Sequence, residues 1–232
     1  AQLRADGIFV SVAAGNSFGS YNTPGLDYPA VSPYVVPVMS VNNDGTLSNF
    51  SQRHQNAIAA PGASIRSAVP DYMGNMNGRA DDYANFSGTS MASPYIAGSA
   101  VLIRQAMQLA GRTNITQDTI YAHMRQTADT VFDAATGANY KRLNLQRALD
   151  TLMPADEYGN NTATATMWAG AASGAVFSGM LNSRNDADFF RFTATATGTI
   201  TINATTRGEA ALRWQISTAA GSTTANGNTV TM

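Results

Sequence analysis

The sequence predicts an α/β layer domain with a mostly parallel sheet and flanking helices, followed by a small all-β sandwich or jelly-roll unit. Three observations predict it. Short apolar runs at residues 8–14, 35–41 and 56–60 have the near-continuous character of strands buried on both faces of a parallel sheet. Between and after them lie segments with helical spacing. Beyond Pro154 the composition shifts to threonine, alanine, serine, glycine and asparagine, and period-two alternation replaces the helical stripe.

In chain order, residues 1–7 read as the last turn of a helix leading into the first apolar run. Residues 90–107 read as a helix, with Ile96, Ala100 and Ile103 on an apolar stripe beside Ala97, Val101, Arg104 and Gln108. Two further helices are expected at 118–128 and 144–152, with Thr116 and Asn144 suited to cap them. A boundary near Met153-Pro154-Ala155 separates residues 1–153 from residues 154–232. In the second part, Asp188-Phe189-Phe190-Arg191-Phe192-Thr193-Ala194 and Thr199-Ile200-Thr201-Ile202-Asn203 alternate as antiparallel strands do. Phe190 and Phe192 point the same way and are expected in a core. The chain closes on a strand pattern, and the expectation is a piece of a longer protein whose second unit is truncated.

Composition narrows the function classes. The 44% hydrophobic share suits a packed fold, while charged residues are only 12% and the net charge is -1. That balance offers nothing to nucleic acid or to an anionic membrane surface. No stretch approaches the roughly 20 apolar residues of a membrane span. The absence of cysteine removes disulfides, thiolate nucleophiles and cysteine-ligated metals together.

The segment Gly88-Thr89-Ser90-Met91-Ala92-Ser93-Pro94 opens the long helix. A proline clashes with the carbonyl four residues back, so the helix is expected to start close to Ser90, with Pro94 in its first turn. Ser90 then sits where unpaired N–H groups and the dipole favour negative charge. Taken alone, the helix start reads first as an ordinary N-cap serine on a core helix. Ala13-Ala14-Gly15-Asn16 ends the first strand, either as simple turn chemistry or with the Asn16 amide placed to donate to an oxyanion. Tyr28-Pro29-Ala30 follows in a loop rich in glycine and aromatic residues.

Together and in this order, these segments resemble the subtilisin-like serine peptidases, the subtilases, over residues 1–153. Asn49-Phe50-Ser51, Ala60-Pro61-Gly62 and Tyr140-Lys141-Arg142-Leu143-Asn144 extend the resemblance, the last as the loop before the final helix of the domain. It implies the C-terminal portion of a subtilisin-like domain acting as a serine endopeptidase on protein or peptide substrates. Ser90 would be the nucleophile and Asn16 a donor in the oxyanion hole. Ala13, Ala14, Gly15 and Thr89 would bind substrate, with residues 17–28 as a second wall. The family's aspartate and histidine signatures both precede the oxyanion segment and neither occurs here, so the chain is expected to be inactive alone. The alternative is a non-catalytic homologue acting as a protein- or surface-binding module. Of the two histidines, His54 reads as part of an exposed polar turn and His123 as a helix residue, and neither matches the catalytic base.

The resemblance further implies a bacterial secreted protein, a cis Tyr28–Pro29 bond, and no cofactor for the chemistry. A weak cation on the carbonyls of Ala30, Ser32 and Val35 occurs in some relatives, with an ordinary metal-free loop as the other reading. Residues 154–232 resemble the pre-peptidase C-terminal domain, a small β-sandwich. Asp156, Glu157, Asp186 and Asp188 are candidates for structural calcium there, or else are solvated turn carboxylates.

Overall fold

The computed structural model describes residues 1–70, 78, 82–168, 176, 178–179, 181, 186–193, 201–203, 213–218, 221–226 and 229–231. Contacts divide the chain into Ala1–Ala155 and Asp156–Met232.

The first unit is built on a five-stranded sheet. Its strands are β1 (Ser11–Ala13), β2 (Val36–Val41), β3 (Ile58–Pro61), β6 (Asp129–Asp133) and β7 (Ala138–Arg142), in the order β1-β2-β3-β7-β6. Pairing is parallel from β1 to β7, and only β6–β7 is antiparallel. Strands β4 (Ile65–Ala68) and β5 (Tyr83–Phe86) form a separate antiparallel pair. The helices are α1 (Gln2–Ala5), α2 (Phe18–Tyr21), α3 (Thr89–Leu109), α4 (Gln117–Gln126) and α5 (Leu145–Asp150).

Every residue of β2 is buried. Alternation sends Val36 and Val38 into one core with Ile58, Ile96, Ile103, Ile120 and Met124. Met39 and Val41 go into the other, with Ala14, Ala59 and Tyr140. The α3 helix packs on β1, β2 and β3 through Ala92, Ile96, Ala100 and Ile103, the stripe expected from the spacing. Both caps form as expected: Thr116 makes a capping box with Thr119, and Asn144 accepts from Arg147 N.

Four expectations need correcting. The run at 8–14 is not buried throughout: Ile8 is 48% exposed and Ser11–Ala13 only half-buried. Among the described residues β1 pairs with β2 alone, so its other edge is uncovered. Tyr140-Lys141-Arg142 is not a loop but part of β7, inserted between β3 and β6 with Tyr140 in the core. The run from Ser51 to Asn56 is not an exposed turn, because Ser51, Gln52 and Arg53 are buried. Finally, α3 starts at Thr89, so Pro94 falls beyond the first turn and deprives the Ser90 carbonyl of its ordinary i+4 donor.

In the second unit the described elements are all strands. These are β8 (Thr166–Met167), β9 (Phe190–Arg191), β10 (Thr201–Asn203), β11 (Arg213–Thr218), β12 (Gly221–Asn226) and β13 (Thr229–Thr231). The β10–β13 and β11–β12 pairs are antiparallel. The β8–β9 pair is parallel, against the all-antiparallel expectation. Trp168 meets both Phe190 and Phe192 edge-on, with ring centroids 6.3 and 6.1 Å apart. Residues 194 and 199–200 of the expected strands lie outside the described residues.

Two predictions follow from the first unit's packing. Ile103 is fully buried in the larger core, so Ile103→Ala should cost about 2–5 kcal/mol in a urea unfolding titration. Asp129 is held below its usual range by hydrogen bonds from Arg142 and Asn144 and by the charges of Arg147 and Arg142, against a smaller upward push from burial. A depressed carboxylate stabilises the fold above its unfolded value of 3.8 and loses that contribution as pH falls through its lower folded value. Asp129→Asn should therefore lower the melting temperature near neutral pH and shrink the difference from the parent below pH 4.

Candidate active site

The start of α3 is fixed from several sides. Gly88 is its N-cap, and Gly88 N donates to the Gly62 carbonyl at 2.8 Å. A side chain on Gly62 would collide with Ser40 Oγ at 2.5 Å and the Gly88 carbonyl at 2.7 Å, so glycine is required for this approach. From the strand side, Ser11 Oγ donates to the Ser93 carbonyl at 3.0 Å and Ser93 Oγ donates to Ser11 Oγ at 3.1 Å.

Asn16, just past β1, is joined to this helix start through its side chain. Asn16 Oδ1 accepts from Thr89 N at 2.9 Å and from Thr89 Oγ1 at 3.0 Å. A primary amide has acceptors at one end and donors at the other. With Oδ1 occupied, Nδ2 is left to donate: the position of an ideal Cβ on Gly88 is 3.5 Å from Asn16 Nδ2, 3.7 Å from Met91 Sδ and 3.7 Å from Ser90 N. Ser90 N belongs to the first turn, where N–H groups have no intrahelical acceptor. Two donors thus border one small space next to the exposed Ser90 side chain. Such a pair can hold an oxyanion, and a larger residue at position 88 would fill the space.

The remaining site residues divide into two groups. Ala13 and Gly15 are half-buried, on the strand end beside Asn16. Ala14 and Thr89 are fully buried. Ala14 N donates to Val38 O and its carbonyl accepts from Asp27 N, while Thr89 Oγ1 also accepts from Gly15 N at 3.3 Å. Both hold neighbours in place. The two histidines are engaged elsewhere. His54 Nδ1 accepts from Asn56 N at 3.1 Å. His123 Nε2 meets the Ala148 carbonyl at 2.7 Å, which puts the ring proton on Nε2 and ties α4 to α5. Among the described residues none hydrogen-bonds the Ser90 hydroxyl. The Tyr28–Pro29 bond is cis, as expected. The Ser32 carbonyl accepts from Val35 N at 3.5 Å.

Behind the site lies a group that the sequence did not disclose. Arg53 is 2% exposed and forms a two-point pair with Asp133, Nε to Oδ2 at 3.2 Å and Nη2 to Oδ1 at 3.4 Å. Its Nη1 donates to the carbonyls of Ser48, Asn49 and Ser51, and its guanidinium lies 3.9 Å over the Phe18 ring. Burial pushes the Asp133 carboxyl up, but hydrogen bonds from Arg53 and Thr136 and the Arg53 charge outweigh it, leaving it below its usual range. Arg53 therefore organises the loop whose next member, Gln52, holds the Gly15 carbonyl through its N–H at 2.9 Å. No periodicity marks such a pair, whose partners are 80 positions apart.

In the second unit, carboxylate oxygens of Asp156, Asp186 and Asp188 all lie within 4.8 Å of one another. Glu157 is not part of that group. The Asp188 carboxyl is pushed up to about 6, first by burial and then by the charges of Asp186, Glu157 and Asp156. Its Oδ1 is buried with no hydrogen-bond partner among the described residues.

Comparison with known proteins agrees with the first unit. Residues 1–160 match the Subtilase family of the S8 peptidases. An intracellular serine protease of Paenibacillus polymyxa is 36% identical over 122 residues, covering 52% of this chain and 35% of that protein. The halolysin-like extracellular serine protease Nep of Natrialba magadii is 32% identical over 146 residues, covering 62% of this chain and 24% of that protein. The chain thus spans about a quarter to a third of the length of these relatives. Among solved structures, the self-cleaved protease domain of PatA superposes with a TM-score of 0.52 at 28% identity, covering 65% of this chain and 52% of that one.

Arg53→Ala should cost about 3–5 kcal/mol in equilibrium unfolding, since it leaves the mostly buried Asp133 without its cation. Asp133→Asn strands the Arg53 cation in turn, but should cost less because Arg53 keeps three carbonyl acceptors and the face of Phe18. Equal losses for the two variants would rule out this account of the pair.

Proposed function

Since the chain belongs to the subtilase family, we propose that it carries the nucleophile and the oxyanion donors of a serine endopeptidase. The observation that carries this reading is the pair of donors, Asn16 Nδ2 and Ser90 N, bordering one space beside Gly88. Ser90 Oγ attacks the carbonyl carbon of a peptide bond. Its proton passes to a general base, and the carbonyl oxygen becomes an oxyanion held by the two donors. Collapse expels the amine, which takes up that proton, and leaves an acyl-enzyme on Ser90. Water then releases the acid by the same steps in reverse order of groups. The base and its orienting carboxylate belong, in this proposal, to a preceding part of the same domain. Ala13 and Gly15 form one wall of the substrate cleft and the loop 17–28 the other. Asn16 Nδ2 and Ser90 N bordering one space supports this reading over that of a non-catalytic binding module.

We assign the protein to the outside of a bacterial cell. Its lack of cysteine is compatible with that compartment, and Nep is named as extracellular, although another relative is named as intracellular. Residues 154–232 we read as an appended β-sandwich of the pre-peptidase C-terminal type. Asp156, Asp186 and Asp188 fit structural calcium, a cation that takes several carboxylate oxygens, and Asp188 Oδ1 is the buried acceptor such an ion would satisfy. The ion would have no part in peptide hydrolysis.

A fluorophosphonate probe tests the nucleophile. It should label Ser90 rapidly in the complete protein, negligibly in the isolated 232-residue chain, and not at all after Ser90→Ala. Rapid labelling of the isolated chain would show that the base lies within it. Asn16→Ala should lower kcat with little change in KM. The corresponding loss in subtilisin itself, a member of this family, is about 2.7–4 kcal/mol and so is not an independent estimate. Millimolar calcium should raise the unfolding temperature of the second unit, and Asp188→Ala should abolish the rise, both read by calorimetry.

A further inference from the structure

Gly15 lies between the buried Ala14 and the donor Asn16, at φ +114°, a conformation that L side chains rarely adopt. A Cβ placed there would stand 2.0 Å from Asp27 Oδ2, 2.4 Å from Asp27 Cγ and 2.9 Å from Gln52 Cγ. The Asp27 carboxylate therefore occupies the space that a side chain on Gly15 would take, one residue from the oxyanion donor. Asp27 is exposed, and among the described residues no arginine, lysine or histidine pairs with it. Its side chain accepts one long hydrogen bond, from Ser17 Oγ at 3.4 Å. An ionised carboxylate offers about four lone-pair sites, so most of its capacity is open. The loop cation Arg53 is committed to Asp133 and three carbonyls.

A second observation points the same way. Gln52 is 7% exposed and donates from Nε2 to Ser17 Oγ at 2.9 Å, while its Oε1 is buried with no hydrogen-bond partner. The two side chains packed against Gly15 are thus a carboxylate and an amide with an unmet oxygen, an excess of acceptors over donors. An unmet buried acceptor costs about 1–3 kcal/mol. Guanidinium and ammonium groups, which carry only donors and a positive charge, complement both.

We propose that Asp27 makes the cleft select lysine or arginine at the residue whose carbonyl is attacked, an inference that rests on the peptidase reading above. Because Ala13 and Gly15 form the wall of the proposed cleft beside the oxyanion donor, the side chain on the carbon next to the attacked carbonyl starts close to Gly15. A lysine or arginine lays its apolar stem along the Ala13–Gly15 backbone and presents its charged head to Asp27. A leucine or phenylalanine would bury part of the carboxylate without a partner, which costs free energy.

The test compares peptide p-nitroanilides that differ only in arginine, lysine, leucine or phenylalanine before the scissile bond, using the complete protein. The expected kcat/KM favours arginine and lysine by about tenfold or more, and Asp27→Asn collapses that ratio. A preference for leucine or phenylalanine, or an arginine-to-leucine ratio unchanged by Asp27→Asn, overturns the proposal while leaving the peptidase reading intact. If no peptide is hydrolysed, the peptidase reading fails. The cation site is then decided by titrating the 232-residue chain with benzamidinium and following its amide resonances. Saturable shifts at Gly15 and Asn16 that Asp27→Asn removes support a cation site, and their absence overturns it.

Discussion

The double hydrogen bond from Thr89 to Asn16 Oδ1 is the contact on which the rest of the site depends. It joins the end of a strand to the start of a helix 73 positions later in the chain. It also decides a rotamer. An amide free to turn would offer its oxygen beside Gly88 as readily as its nitrogen, and in the proposed reaction an oxygen there would repel the charge that develops. Thr89 donates from both its backbone and its hydroxyl, and donors can be satisfied only by Oδ1. The nitrogen is left for the cleft. Thr89 is fully buried, so water does not compete for these bonds. The glycine contact at Gly62–Gly88 and the Ser11–Ser93 pair then keep the helix start at the distance where the bond can form.

Arg53 supports the same geometry from the other side of the strand end. A buried ion pair is weak evidence of net stability, because desolvating both charges offsets much of their attraction. Its contribution here is positional. One guanidinium gathers three loop carbonyls, an aspartate of β6 and the face of Phe18. Those carbonyls would otherwise have to find donors in a segment that is turning away from the sheet. Through the neighbouring Gln52 the effect reaches Gly15, whose carbonyl is held at 2.9 Å.

What the sequence disclosed was local. The α3 helix is legible because its stripe of Ile96, Ala100 and Ile103 recurs within a few turns, and β2 because a run buried on both faces is apolar at every position. Ser90 and Asn16 were legible because the chemistry of a helix start and a strand end is written in a few adjacent residues. The misses share a different cause. Tyr140 to Arg142 carries polar residues yet forms an inner strand, since β6 and β3 supply its ladder from both sides. Arg53 reads as a surface cation until Asp133 is brought beside it. Gly15 and Asn16 were singled out, but nothing in the loop 17–28 indicated that Asp27 would fold back against Gly15. Each miss depends on a partner far along the chain, which periodicity and capping do not report.

The two sides of Gly15 carry opposite electrostatic demands. Toward Gly88 the donors of Asn16 and Ser90 collect, with the positive end of the α3 dipole behind them, a surround that suits an anion. Toward Asp27 the acceptors collect, a surround that suits a cation. Placed side by side without a separator, the two sets would simply hydrogen-bond to each other and the cleft would close on itself. The backbone of Gly15 keeps them apart, and its left-handed conformation with no side chain lets Asp27 approach from one face while Asn16 is anchored to Thr89 on the other. A peptide whose carbonyl follows a carbon bearing a cationic side chain is an object with the same two polarities. Such a chain would satisfy both sides of the proposed cleft at once, and that is the physical reason to look for specificity at Asp27.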